Sequence, residues 1–153
     1  MEAYQLLARK AFNNFKAADH LTYITLPLLK DTRLILTVLE NLNLSLINGM
    51  NSILEYERLY RRISALPENL DLRLDIFKVV GKRHNVTEEE LNLIRSIKNI
   101  LERHKNSPVE FSRPGKFVIC ADDFKIKTVS VEEIKQYLIL AKGFLRKVDG
   151  IIR

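Results

Sequence analysis

The sequence predicts a mainly α, up-and-down bundle of four to five helices with one β-hairpin inserted before the last helix. Three observations carry that expectation. Residues 31–62 place Ile35, Leu39, Leu42, Leu46, Met50, Ile53, Tyr56 and Tyr60 at spacings of three and four, the mark of one helix face. Two later stretches open with complete helix-start signatures. Thr87 with Glu90 and Ser130 with Glu133 form capping boxes, flanked by the hydrophobic staples Val86/Leu91 and Val129/Ile134. Five glycines and four prolines in 153 residues are few, which favours long helices over many-turned sheets. The length suits a single domain over residues 1–153 with a substantial core.

The first helix is predicted over residues 2–25. Its buried stripe is Leu7, Ala11, Phe15, Ala18, Leu21 and Ile24, and Pro27 ends or kinks it. Asp31 is the expected N-cap of the second helix, the central rod. No charge falls between Glu40 and Glu55, and the off-stripe positions there are apolar (Leu44, Ile47, Leu54) or small and polar. A helix of that kind is packed on most sides, as the axis of a bundle or as a rod shared with a second copy. Gly49, with Ser45 and Ser52, is expected to permit close helix approach.

Residues 70–82 carry both a strand-like alternation and a helical stripe (Leu70, Leu74, Phe77, Val80). Their length and the Val79-Val80 pair favour helix. The fourth helix follows Thr87, with Leu91, Ile94, Ile97 and Leu101 inward. A hairpin is then predicted over residues 116–129, turning at Asp122-Asp123. Pairing across that turn sets Phe117, Ile119, Phe124 and Ile126 on one face and Val118, Cys120, Lys125 and Lys127 on the other. A lone hairpin is marginal in water, so its aromatic face must lie on the bundle. The last helix carries Ile134, Leu138, Ala141, Leu145, Val148 and Ile152, widened by Tyr137, Phe144 and Ile151.

Little in this pattern speaks of catalysis. No histidine has a glutamate three residues before it, as a di-iron bundle requires, and the rod interior offers no charged ligand, so no metal site is expected. The glycines are scattered singly, with no phosphate-cradling loop, and no cofactor or small-molecule ligand is evident. The single cysteine, Cys120, has no histidine placed beside it by spacing and excludes an internal disulfide. No catalytic residue is assigned, and an enzyme is the least favoured class. Small bundles of this shape include the HEPN ribonucleases, whose active site has an Arg followed at short range by His. In this chain Arg95 precedes His104 by eight intervening residues, too far upstream, and Lys98, which has the spacing, is the wrong basic residue, so that pattern is absent. The stretch SPVEFSRPGKFVICADDFKIKTVSVEEIKQYLILAKGF, residues 107–144, is similar to small archaeal helical proteins of uncharacterised function. That similarity implies a cytosolic archaeal protein and no particular activity.

Two functions remain as expectations. The first is a non-catalytic interaction module that pairs as a homodimer through spare apolar helix faces, at Asn43, Ile47, Leu54, Phe144 and Ile151. The second is RNA or DNA binding through one basic pole. The net charge is +6, spread as +2 over residues 1–66, +1 over 67–106 and +3 over 107–153, with no basic tail. Much of it sits at expected helix C-termini, where the helix dipole favours cations. If the helices alternate strictly, the C-termini of the rod and of the fourth helix share one end. That would gather Arg9, Lys10, Arg58, Arg61, Arg62, Arg103, Lys105, Arg113 and Lys116. The N-terminus lacks a signal pattern, so a cytoplasmic location is expected. Glu40 and the asparagines interrupt the rod as a bilayer span, so no membrane partner is expected.

Overall fold

The computed structural model describes residues 1–120 and 125–152. Helix α1, Ala3–His20, opens with a capping box in which the Glu2 N–H donates to Gln5 Oε1 at 2.9 Å. It does not stop at Pro27. The chain widens into a π-helical stretch, Leu21–Thr25, where the Leu26 N–H reaches back to the Leu21 carbonyl, and continues as a short helix α2, Leu26–Leu29. Pro27 sits in the first turn of α2, where a missing N–H is least costly. The wider turn shifts the inward positions: Thr22 and Leu26 are buried, and Ile24, expected in the core, is exposed. Lys30, at φ 54°, closes α2 by donating its N–H to the Leu26 carbonyl.

The rod, α3, spans Leu34–Leu59, shorter at both ends than the periodicity suggested. Asp31 is not its N-cap as expected: Arg33 holds that position without a side-chain cap, and Asp31 accepts the Arg33 N–H at 3.0 Å in the turn before it. Helices α1, α4 (Leu70–Val80), α5 (Glu88–Asn106) and α6 (Val131–Ile152) all pack on it, as does strand β2 (Lys116–Cys120), so it is the axis of the molecule. The small residues of the rod divide their work. The Ser45 hydroxyl donates to the Ala11 carbonyl at 2.8 Å and the Ser52 hydroxyl to the Tyr4 carbonyl at 2.6 Å, both across to α1. Buried Ala8 and Ala11 on the facing side let the two backbones come that close. Gly49 instead faces α6, and a Cβ there would lie 2.9 Å from Phe144 Cε1 and 3.4 Å from Leu145 Cδ2.

Gly49→Ala therefore sets a gain in helix propensity of about 1 kcal/mol against an overpacking penalty of about 1–3 kcal/mol. We expect the penalty to prevail, because the Phe144 ring is walled in by the core. A chemical denaturation midpoint equal to or above wild type would contradict this.

The ambiguous segment is helix: α4 is capped by Asn69, whose side chain accepts the Leu72 N–H at 3.1 Å. It tapers through a 3₁₀ turn, Gly81–His84, to Asn85 at φ 62°. The Thr87/Glu90 box forms in both directions, at 3.2 and 2.9 Å. At α6, Ser130 Oγ accepts the Glu133 N–H at 3.1 Å, while the Glu133 carboxylate turns toward Lys127 and the Tyr137 hydroxyl.

Among the described residues the β-element has three strands in the order β1 (Val109–Arg113), β2, β3 (Ile126–Ser130), all antiparallel. Strand β1 was unexpected; it joins β2 through Pro114-Gly115, with Gly115 at φ 70° as the second turn position requires. The β2–β3 register also differs from expectation by one residue, pairing Phe117 with Val129 and Cys120 with Ile126. A slip of one turns alternate residues over. Phe117, Ile119 and Val129 face the bundle with Lys127 beside them, and Ile126 is exposed on the outer side. The expected Asp122-Asp123 turn and Phe124 lie outside the described residues.

Four helices alternate in direction: α1, α3, α5 and α6. Glu90 near the start of α5 meets Lys147 near the end of α6 at 2.6 Å, and Arg103 near the end of α5 shares a surface depression with Tyr137 of α6. Helix α4 is not one of the alternating members. Arg73 reaches Asn51 at 2.9 Å and His84 reaches Glu57 at 2.5 Å, so α4 advances along the rod in the rod's own sense. It then turns back into α5, with Asp71 of α4 ion-paired to Lys98 of α5.

Candidate binding groove

That excursion of α4 dismantles the expected basic pole. Arg58, Arg61 and Arg62 lie at the C-terminal end of α3, with Arg9 and Lys10 exposed on the half of α1 that packs toward it. Arg103 and Lys105 end α5 at the opposite pole, and Arg113 and Lys116 sit there in the sheet, where the Arg113 carbonyl accepts the Thr32 hydroxyl. The nine residues therefore do not form one pole. The expected interface fares similarly. Leu54 and Phe144 are fully buried inside the chain, because α5 and α6 cover those sides of the rod, and Asn43, Ile47 and Ile151 are half-buried. Leu54 and Phe144 are thus spent within one bundle.

At the α3 C-terminus the structure assembles a cluster that periodicity did not suggest. Glu57 is fully buried and holds His84 Nε2 at 2.5 Å through Oε1, with Arg62 Nη1 at 3.5 Å. Its Oε2 accepts no hydrogen bond, and Arg83 Nη1 stands 3.6 Å away. Arg62 also lies over the Tyr56 and Tyr60 rings, and Tyr4 meets Tyr56 edge-on. The cluster fastens the turn after α4 to the rod.

The opposite end carries a groove of about 750 Å³, within the size range of small-molecule sites. Three distant segments form it. One wall is the π-helical stretch and α2, with Thr22, Tyr23, Leu26, Pro27 and Leu29; the second is the β1–β2 turn; the third is the start of α6, with Val131 and Lys135. Two bonds fix the turn in place: the Thr32 hydroxyl donates to the Arg113 carbonyl at 3.3 Å, and the Val131 N–H donates to the Gly115 carbonyl at 3.0 Å. The π-helical widening matters here because it turns the Tyr23 ring outward to the groove.

The lining is mostly apolar, and its charges are of one effective sign. Lys30, Arg113 and Lys135 line it, with the Lys135 ammonium 5.7 Å from the Tyr23 ring centre and the Arg113 guanidinium 5.0 Å from that of Phe111. The one acid, Asp31, is gripped by the Arg33 guanidinium at 2.8–3.2 Å, and that hydrogen-bonded pairing holds its carboxyl below the ordinary range. Asp31 thus stays ionised while Arg33 cancels its charge. Comparison with protein-family models, curated proteins and solved structures finds no match to this chain. Its chemistry has to be read from its own residues. Among the described residues no three His, Cys, Asp or Glu side chains converge as a metal site.

Sequence reasoning missed the groove because no segment contains it. The available signals were Pro27 inside an apolar run, which betrays an irregular helix, and Pro114-Gly115, which betrays a tight turn.

Proposed function

We propose that this protein is a non-catalytic binding module whose groove takes a small amphipathic anion, an apolar body carrying a carboxylate or phosphate head. The supporting observation is the combination of an apolar floor at Leu26, Pro27 and Val131 with the cations Lys30, Arg113 and Lys135 around it. Burying the body supplies affinity at about 25 cal/mol per Å² of apolar area, and the cations select the sign of the head. A neutral or cationic ligand of the same shape gains only the first term. The binding-module class expected from sequence is retained, with its surface moved from the helix faces to the sheet end.

Decanoate, held below its micelle concentration, is a suitable probe. We expect it to raise the melting temperature progressively, as a ligand of the native state must, with decylamine giving no such rise. Arg113→Gln combined with Lys135→Gln should weaken decanoate about tenfold or more, the loss of charge-assisted contacts of about 1.5–3 kcal/mol. Equal shifts from decanoate and decylamine, or none from either at millimolar concentration, would remove the reading.

A further inference from the structure

We infer that the corner joining α1 to α3 docks on the surface of an anionic lipid bilayer, an inference that rests on the groove reading because it places the groove mouth against the lipid. Tyr23, Ile24, Leu28 and Leu29 are 46, 51, 78 and 65% exposed. Four large apolar side chains are exposed within seven residues, a density that a surface of singly scattered apolar residues does not have. Two of them, Tyr23 and Leu29, also line the groove, so the exposed stretch and the groove are continuous. The same rim carries Lys30, Arg113 and Lys135, while Asp31 is neutralised by Arg33. Apolar residues at the tip with cations set behind them match the order of an anionic leaflet, hydrocarbon first and then phosphate.

Geometry separates this partner from a flat protein surface. Leu28 and Leu29 are consecutive on the last helical turn, so their side chains diverge by about 100°. One rigid partner face covers one of them and leaves the other wet. A fluid interface receives both. No helix of the described residues is long and apolar enough to cross a membrane, and none is needed. The sequence expectation of no membrane partner addressed a span; a surface contact requires only the exposed corner.

The test uses the whole chain with sedimented vesicles of phosphatidylcholine alone or with about 30% phosphatidylglycerol, the anionic lipid supplying the surface potential. Binding is expected to the anionic vesicles, and to weaken as salt rises from about 0.05 to 0.5 M because the rim charges are screened. Leu28→Asp with Leu29→Asp should lower vesicle binding at least about 100-fold, since immersing each leucine is worth roughly tenfold or more. Both positions are exposed, so the variant should keep the wild-type melting temperature. The chain contains no tryptophan, so Leu28→Trp provides a single reporter whose emission should move to the blue on the anionic vesicles. Equal binding by the double variant, no binding by wild type, or a wild-type dimer that the double variant splits would each overturn the inference, the last by showing a second copy on the corner. Decanoate is read separately in free solution. If it fails while vesicles still bind through Leu28 and Leu29, the groove reading falls and the docking surface stands.

Discussion

Phe144→Ala is expected to lower stability by about 4 kcal/mol, within the range for a fully buried phenylalanine. The ring is completely enclosed and stands edge-on to Phe77 at 6.1 Å, joining α6 to α4. Its Cε1 also lies close to the bare backbone at Gly49, so it fills the space that the missing side chain of the rod leaves open. Truncation removes the transfer energy of the ring and leaves a cavity between three helices that cannot all move in to fill it. Urea unfolding should show a lower midpoint with an unchanged slope, independent of protein concentration. The same residue was a candidate dimer contact from sequence, and the two placements predict different data. A loss below about 1 kcal/mol, or a midpoint that rises with concentration, would put Phe144 at an interface after all.

The second large effect is expected at the buried carboxylate. His84→Ala should cost about 3 kcal/mol, because it strips Glu57 of its nearest donor and leaves a charge inside the protein. The remaining cations, Arg62 and Arg83, stand at 3.5 and 3.6 Å and are about half exposed, too far and too hydrated to replace the imidazole. Glu57→Leu together with His84→Ala should be less damaging than His84→Ala alone, since the buried charge then leaves with its partner. A double-mutant cycle is the measurement. A coupling below about 0.5 kcal/mol, the scale at which independent sites add, would show that the pair is incidental.

Sequence alone revealed the helices wherever a local signal fixed them. The Thr87 cap and the uncharged middle of the rod both correspond to what the structure shows, because caps and amphipathic stripes are local physics. What failed was relational. Reading residues 70–82 as a full member of the alternating bundle reversed the expected direction of α5 and joined two groups of basic residues that lie at opposite ends. The hairpin register slipped by one because the two-residue turn at Asp122-Asp123 set the count, whereas five residues separate β2 from β3. Glu57 was unreadable: in the run EYERLYRR, with two glutamates and three arginines, it looks like an ordinary surface charge. The 3₁₀ turn ending at His84 brings its nearest partner to it. The groove was hidden for the same reason, being the meeting of residues 22–32, 112–115 and 131–135.

The serine bonds between α1 and α3 bear on the order in which the molecule is made. Ser45 to Ala11 and Ser52 to Tyr4 join neighbours in sequence, across a connection of only a few residues. Such a helical hairpin has low contact order and forms early. During synthesis residues 1–59 are complete while most of the chain is still to come, and they can pair as a unit ahead of it. They bring with them one wall of the groove and the exposed leucines of its rim. The other two walls arrive with Gly115 and Val131, whose backbone bond closes the site late in the chain. The groove is therefore complete only at the last stage of folding, and a nascent or truncated chain that ends before α6 presents the apolar corner without the groove behind it.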